Sequence, residues 1–291
     1  MLNCKMSTKQ TLRSNAKINL GLNILSKKLN GYHEIESLMQ EIDFYDEIDI
    51  EVSDKKGDIE ITSSGIDINC EHKNNTCYKI TNLVKKEYGI NNKISLKINK
   101  RIKVGSGLGG GSSNAATVLN FLNSFFKLKI TKSQKNILCQ KIGMDVPFFL
   151  EGGLQYVQGM GEKLSPIKDI FSKYCFVLVM PKINISTSWA YSKIKKELPV
   201  NKLNYNLLAL SNPIKWNAFR NDFEDIVIPI YPEIREIKEL FKKNNALFSS
   251  LSGSGSTIFG VYENQDFADR VSKSMQDSGH QSIVANPIYK K

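Results

Sequence analysis

VGSGLGGGSSN, Val104 to Asn114, is the stretch on which the reading of this 291-residue chain turns. Gly105, Gly107, Gly109, Gly110 and Gly111 crowd into it. Before the run, Ile94, Leu96 and Ile98 alternate with polar residues in the manner of a strand. After it, Ala115, Val118, Leu119, Leu122 and Phe126 recur at helical steps. Glycine has no Cβ, so such a loop can bring successive backbone N–H groups up to an anion, and Ser112 or Ser113 is expected to cap the following helix. The start of that helix points N–H groups lacking intrahelical partners, and the positive end of its dipole, back at the loop. The expected ligand is a phosphate group. A flexible linker is the other use of many glycines, but linkers rarely sit between a clear strand and a clear helix.

Three well-known phosphate loops fail on inspection. A Walker A loop carries GK[ST] at its helix start, whereas Gly111 is followed directly by Ser112. Gly105, Gly107 and Gly110 spell GxGxxG, but a dinucleotide fold needs an acid roughly 20 residues later to hold a ribose. No Asp or Glu occurs from Arg101 to Met144. A protein kinase would carry HRD and DFG, and neither string is present. Phosphate binding remains, in a less common loop.

The length allows a sizeable core and two lobes. Hydrophobic residues at 41% and charged residues at 24% are ordinary for a globular protein. No apolar run approaches the ~18 residues of a membrane span. The first acid is Glu34, yet the patterned segment Ala16 to Leu20 begins too early to leave room for a transit peptide, so a cytoplasmic protein is expected. Cys4, Cys70, Cys77, Cys139 and Cys175 are odd in number without a CxxC pair, which argues for reduced thiols. Cys70, His72 and Cys77 lack a fourth partner for zinc. The formal charge of +11 raises a nucleic-acid reading. The lysines are scattered and seldom interleaved with aromatics, which favours coding bias and a general attraction for anions over nucleic acid.

Along the chain, Ile18, Leu20, Leu22 and Ile24 alternate with Lys17, Asn19, Gly21 and Asn23 in a strand. Its apolar side should face the core, leaving Lys17 and Asn19 together on the other face. A turn at Asn30 and Gly31 precedes Tyr32 and His33. Strands are expected at Ile48 to Val52 and Ile59 to Thr62, and a helix from Cys77 to Tyr88 that Gly89 stops. Thr131 or Ser133 should start a helix running through Ile142 to Gly143. In the apolar segment Met144 to Leu150, Asp145 is the one acid, and Pro147 should keep Val146 extended. Gly159 to Lys168 reads as a linker. Beyond it, a strand at Phe176 to Met180 and helices at Ser188 to Leu198 and Ile234 to Lys243 come first. Two strands within Ala246 to Tyr262, a helix at Asp266 to Ser278 and a strand at Ser282 to Ala285 follow. That order predicts an α/β sandwich of the split βαβ type. LSGSGST, Leu251 to Thr257, lies at the turn between the paired strands. Its two glycines serve either a hairpin or a loop that closes over phosphates.

VGSGLGGGSSN, LSGSGST, AKINL (Ala16 to Leu20), GYH (Gly31 to His33) and GMDVPF (Gly143 to Phe148) resemble, in order and approximate spacing, the motifs of the GHMP kinases. The likeness runs nearly end to end. It implies an α+β, two-lobe GHMP kinase fold, with an N-terminal domain like ribosomal protein S5 domain 2 and a ferredoxin-like C-terminal domain. The corresponding division is 1–165 for ATP and substrate binding and 166–291 for the C-terminal GHMP kinase domain. Within the family the motifs are most similar to those of the members that phosphorylate a hydroxyl of a small polyol carrying a cytidine diphosphate group, in the non-mevalonate route to isoprenoid precursors.

The resemblance implies Lys17 and Asp145 as the catalytic pair, with ATP and Mg²⁺ as cofactors. It assigns Val104, Gly105, Ser106, Gly107, Leu108, Gly109, Gly110, Gly111, Ser112, Ser113 and Asn114 to the ATP phosphates, and Asn75 and Thr76 to adenine. Ser112 is also the candidate magnesium ligand. Asn19, Tyr32, His33 and Tyr191 fall on the substrate side, with the two aromatic rings and the imidazole at the cytidine. In two places the chain departs from the family's loop: Lys103 stands where proline is common, and Ser106 where glycine is frequent. Neither removes an N–H donor, and losing proline adds one. The implied partner is a small molecule bearing cytidine diphosphate, with no nucleic acid and no membrane, and the chain is a monomer or homodimer. A homoserine- or mevalonate-type kinase is the alternative within the family. A non-catalytic RNA-binding relative of the S5-like fold, favoured only by the charge, is the alternative outside it.

Overall fold

The computed structural model describes residues 7–29, 31–68, 70–168, 170–194 and 204–289, the side chains of 206 and 207 excepted. In chain order the elements are β1 (Thr8–Lys27), β2 (His33–Lys56), β3 (Ile59–Gly65), α1 (Thr76–Tyr88), β4 (Asn92–Lys100), α2 (Gly110–Phe125), α3 (Lys132–Gln140), α4 (Val146–Glu151), β5 (Leu154–Gly159) and β6 (Lys163–Pro166). There follow β7 (Cys175–Val179), α5 (Thr187–Ser192), α6 (Tyr205–Ala209), α7 (Glu224–Val227), α8 (Pro232–Lys243), β8 (Phe248–Leu251), β9 (Ile258–Tyr262), α9 (Gln265–Asp277) and β10 (Ser282–Ala285). They group into two compact units. The first takes the chain up to Ala16, Tyr45–Val104 and Gly109–Glu151; the second takes Lys17–Phe44, Gly105–Leu108 and everything from Gly152 on.

In the first unit, the second half of β2 pairs antiparallel with β4, and β3 lies parallel on the other edge of β4. The register sets Ile48 opposite Ile98, Ile50 opposite Leu96 and Val52 opposite Ile94, so a single apolar ladder faces the helices. Cys77, Ile80 and Val84 of α1, and Ala115, Val118, Leu119 and Leu122 of α2, are fully buried. Asn75 caps α1 by accepting from the Cys77 N–H at 2.9 Å. Thr131 and Gln134 form a reciprocal capping box at the start of α3. Each such cap is worth about 1 kcal/mol.

Three expectations fail in this unit. Neither Ser112 nor Ser113 caps α2: its N-cap is Gly109, held in the left-handed region at φ 72°, with no side-chain cap. A glycine there turns the chain into the helix a full turn earlier than a serine cap would have done. The third helix ends at Gln140, short of Ile142. Val146 is not extended but opens α4, with Pro147 in the first turn, where its missing N–H would have had no intrahelical acceptor anyway.

In the second unit, a four-stranded antiparallel sheet has the order β10-β7-β9-β8. With helices between β7 and β8 and α9 between β9 and β10, this is the ferredoxin-like arrangement. Ile234, Ile237 and Phe241 of α8 and Ala268, Val271 and Met275 of α9 join Val177, Val179 and Ile258 in one core. The first half of β2 pairs with β5, and β5 with β6. The stretch Gly159 to Lys168, read as a linker, therefore contains a paired strand. The helix expected from Ser188 to Leu198 covers Thr187–Ser192, and its expected end at Leu198 lies outside the described residues, as do Cys4 and Asn30. No helix among the described residues is long and apolar enough to cross a membrane.

Candidate active site

Three pieces of the first unit meet at the start of α2. The first intrahelical bond runs from the Ser113 N–H to the Gly109 carbonyl at 2.9 Å, so Gly110, Gly111 and Ser112 present N–H groups with no intrahelical acceptor. Thr76 Oγ1 donates to the Gly111 carbonyl at 2.7 Å, which seats the α1 start, with Asn75, beside this turn. On another side lies the turn Gly143–Asp145: a Cβ placed on Gly143 would stand 3.8 Å from Ser112 Oγ. Asp145 is half-buried there, directly before α4. Ser113 and Asn114 point elsewhere, into a buried polar cluster: Ser14 Oγ donates to Ser113 Oγ at 2.8 Å, and Asn114 Nδ2 to Ser14 Oγ at 2.9 Å. As an arrangement, the turn offers open donors and a carboxylate-bearing neighbour, which suits an anion with a proton to be removed close by.

In the second unit, Lys17 and Asn19 share a strand face, as the alternation required, but that face is covered. Lys17 is 3% exposed and Asn19 0%. The Lys17 ammonium donates to Asn19 Oδ1 at 2.5 Å and to the Gly107 carbonyl at 2.8 Å. Asn19 Nδ2 donates to Ser37 Oγ at 2.8 Å, and Ser37 Oγ in turn to the Gly21 carbonyl at 2.7 Å. An ammonium in such a low-dielectric place acts strongly on any developing negative charge.

The second glycine loop meets the first here. Ser252 Oγ donates to the Gly107 carbonyl at 2.9 Å, and the Thr257 N–H donates to the Ser106 carbonyl at 3.1 Å. Gly107, at φ 79°, is a position where only glycine fits: an added Cβ would lie 1.9 Å from the Ser252 carbonyl oxygen. Asn221 fixes the second loop from behind, its Nδ2 donating to the Leu251 and Gly253 carbonyls at 2.7 and 2.8 Å. LSGSGST is thus a strand connection that also clamps the first glycine run.

The aromatic candidates also lie in the second unit. The His33 imidazole stacks on Tyr191, with ring centroids 5.2 Å apart and planes at 21°, and Tyr191 meets Phe223 edge-on at 4.9 Å. Tyr32 is 52% exposed. Partial burial, and then the Lys27 charge, lower the His33 pKa below 6.5. A depressed imidazole pKa means that the unfolded chain takes up a proton first as pH falls. The stability His33 contributes is complete above pH 6.5 and fades as pH drops from there through its folded value. An NMR titration should place its midpoint below 6.5, and Lys27→Met should move that midpoint upward. A midpoint at or above 6.5 would contradict this reading of its surroundings.

Sequence reasoning marked the loop that holds Ser252 but not the bonds of its hydroxyl, and it missed Ser37 and Asn221. Their partners lie as far as 233 residues away in sequence, so no local pattern could have shown these bonds.

Profiles of the GHMP kinases match the chain twice, the N terminal domain over residues 75–153 and the C terminal domain over residues 203–281. With relatives more than 30% identical over nearly the full length of both chains, this shows that the chain belongs to the GHMP kinase family. Those relatives carry one name. The 4-diphosphocytidyl-2-C-methyl-D-erythritol kinase of Chlorobium limicola is 35% identical over 96% of this chain and 97% of its own. That of Acetivibrio thermocellus is 34% identical over 96% and 99%. Among solved structures, a 4-(cytidine 5'-diphospho)-2C-methyl-D-erythritol kinase superposes with a TM-score of 0.77 at 24% identity, covering 96% of this chain and 99% of its own. The homoserine kinase from Cytophaga hutchinsonii does so at 0.68 and 19%, covering 98% and 96%. The structural likenesses establish the GHMP kinase fold.

Proposed function

We propose that this chain transfers the γ-phosphoryl group of ATP to the 2-hydroxyl of 4-diphosphocytidyl-2-C-methyl-D-erythritol, within the non-mevalonate route to isoprenoid precursors. One observation carries the choice of acceptor: relatives matched across nearly their whole length bear the name of that kinase. The open N–H groups at the start of α2 support the phosphate donor independently.

Phosphoryl transfer needs positioning and charge neutralisation more than covalent chemistry. In this reading, the N–H groups of Gly110, Gly111 and Ser112 receive the phosphates, and Asn75 and Thr76 border the adenine. Magnesium keeps several waters and takes few protein ligands, so a share in its shell fits the Ser112 hydroxyl at the same turn. Bound there with ATP, the ion would neutralise phosphate charge. Asp145 accepts the proton of the substrate hydroxyl as it attacks. Lys17, held by Asn19 and Gly107, orients that hydroxyl and offsets the charge spreading over the transferred group. His33 and Tyr191, with Tyr32, take the cytosine, whose π-face stacks and whose polar edge needs a hydrogen-bond partner. We assign ATP and substrate binding chiefly to 1–165, and propose a cytoplasmic location.

The test is ATP consumption with a panel of cytidine-diphosphate-linked and free polyols, homoserine and mevalonate. Turnover is expected only with the cytidine-bearing polyol. Turnover with homoserine or mevalonate alone would move the chain to another branch of the family. Salt-dependent RNA retention with no ATP-induced rise in melting temperature would instead favour the non-catalytic reading.

A further inference from the structure

Asp46, on β2 in the first unit, is fully buried, and its carboxylate has four donors. Oδ1 accepts the backbone N–H of Arg101 at 2.8 Å and of Ile102 at 2.9 Å, where β4 ends and the chain turns toward the glycine run. Oδ2 accepts from the Lys100 ammonium and from Asn114 Nδ2, the latter at 3.0 Å. Asn114 lies in α2, beyond the glycines, and its Oδ1 accepts from Lys100 Nζ at 3.2 Å. The Asn114 amide also reaches Ser14 Oγ, which binds Ser113 Oγ. A carboxylate offers about four lone-pair sites, and here all are used. A buried charge is tolerable only when paired and bonded in this way. The same dry surroundings push the buried Cys77 thiol nearby up to about 12.

The cluster joins the two ends of the glycine run: two backbone N–H groups and the Lys100 ammonium from before it and the Asn114 amide from after it meet on one carboxylate. Gly109, inside that span, has positive φ, a conformation glycine leaves as easily as it enters. Tying the ends of such a segment removes closure entropy that an anion would otherwise have to offset on binding. We infer that Asp46 is a positioning residue for nucleotide binding, holding both ends of the glycine run so that the N–H groups of Gly110, Gly111 and Ser112 stay aimed at one point. This rests on the proposed binding of ATP at that turn.

Two variants test it. Asp46→Asn keeps the shape and removes the charge. Asp46→Leu combined with Lys100→Met replaces the ion pair with apolar groups of similar volume, a change that buried pairs often tolerate in stability. The expected result for both is an ATP KM and dissociation constant raised about tenfold, with the KM for the cytidine-bearing substrate changed less than about twofold. The double variant also strips the Arg101 and Ile102 N–H groups and Asn114 Nδ2 of their acceptor, so it should melt below the parent, and the selective rise in the ATP constants is what marks the positioning role. If the double variant bound ATP as tightly as the parent, or if both KM values rose together alongside a lower melting temperature, the role would be structural only and the inference overturned. If Asp46→Asn fails to fold, the double variant carries the same comparison. A parent chain that binds no ATP overturns the underlying reading as well, and that measurement on the parent separates the two failures.

Discussion

Changing Asp145 to Asn is expected to lower kcat by about 10²- to 10⁴-fold, the usual share of a positioned general base, with the ATP dissociation constant little altered. Asparagine keeps the size of the side chain and its place before α4 but cannot take a proton at neutral pH. The proposed partners of the nucleotide, the N–H groups at the start of α2, are backbone and stay in place. Lys17→Ala should behave similarly. Its removal takes one donor from the Gly107 carbonyl, which retains Ser252 Oγ at 2.9 Å, and one from Asn19, which retains Ser37 at 2.8 Å. The glycine loop therefore keeps its anchor, and the loss falls on the reacting hydroxyl. A coupled ADP-release assay reads both variants, and a near-normal kcat in either would remove its proposed role.

The second large effect is expected at Gly107. Alanine there would put its Cβ 1.9 Å from the Ser252 carbonyl oxygen and 2.8 Å from the carbonyl carbon, while the residue sits at φ 79°. Both obstacles are backbone, so no side chain can swing aside. The connection between β8 and β9 must move, and with it the Ser252 hydroxyl that holds Gly107. The expected cost is about 3 kcal/mol or more, a fall in melting temperature of roughly 6 °C or more, with activity lost in parallel. Gly105→Ala is the control. It shares positive φ, 70°, but its nearest obstacle is the Ile185 carbonyl oxygen at 3.9 Å. Left-handed strain alone costs about 1–2 kcal/mol. Equal losses in the two variants would mean that the close approach to Ser252 does not matter.

Elements with a clean period were legible from the sequence. The Ile94, Leu96, Ile98 alternation became β4, the Cys77 to Tyr88 segment a helix that Gly89 ends, and the C-terminal strands fell close to where their apolar runs stand. The first half of β2 was not legible. Ser37 and Gln40 there are 0% exposed, and Glu36 and Glu41 nearly buried, so polar residues occupy interior positions and the alternation that marks a strand is erased. What admits them is tertiary: Ser37 binds Asn19, Glu41 accepts the Gly153 N–H at 2.8 Å, and Glu36 binds Tyr156. The same cause hid the setting of Lys17. A strand lysine ordinarily faces water, and this one is turned inward, where it meets the Gly107 carbonyl far along the chain. Val146 misled for a smaller reason: the rule that proline keeps its predecessor extended gives way at a helix start.

The chain's repeated passage between its two units bears on how the protein is made. Every residue of the first unit has been synthesised once Glu151 is added, whereas Lys17–Phe44, born early, belong with segments that begin at Gly152 and close only with β10. At about 5–20 residues per second, those early strands wait on the order of ten seconds for the rest of their unit. Leu20, Leu22, Ile24, Ile35 and Leu38, all buried in the finished protein, would lack part of their cover for that interval. Nascent chains of this protein should therefore engage holding chaperones through a segment near the N-terminus, released only when translation nears its end.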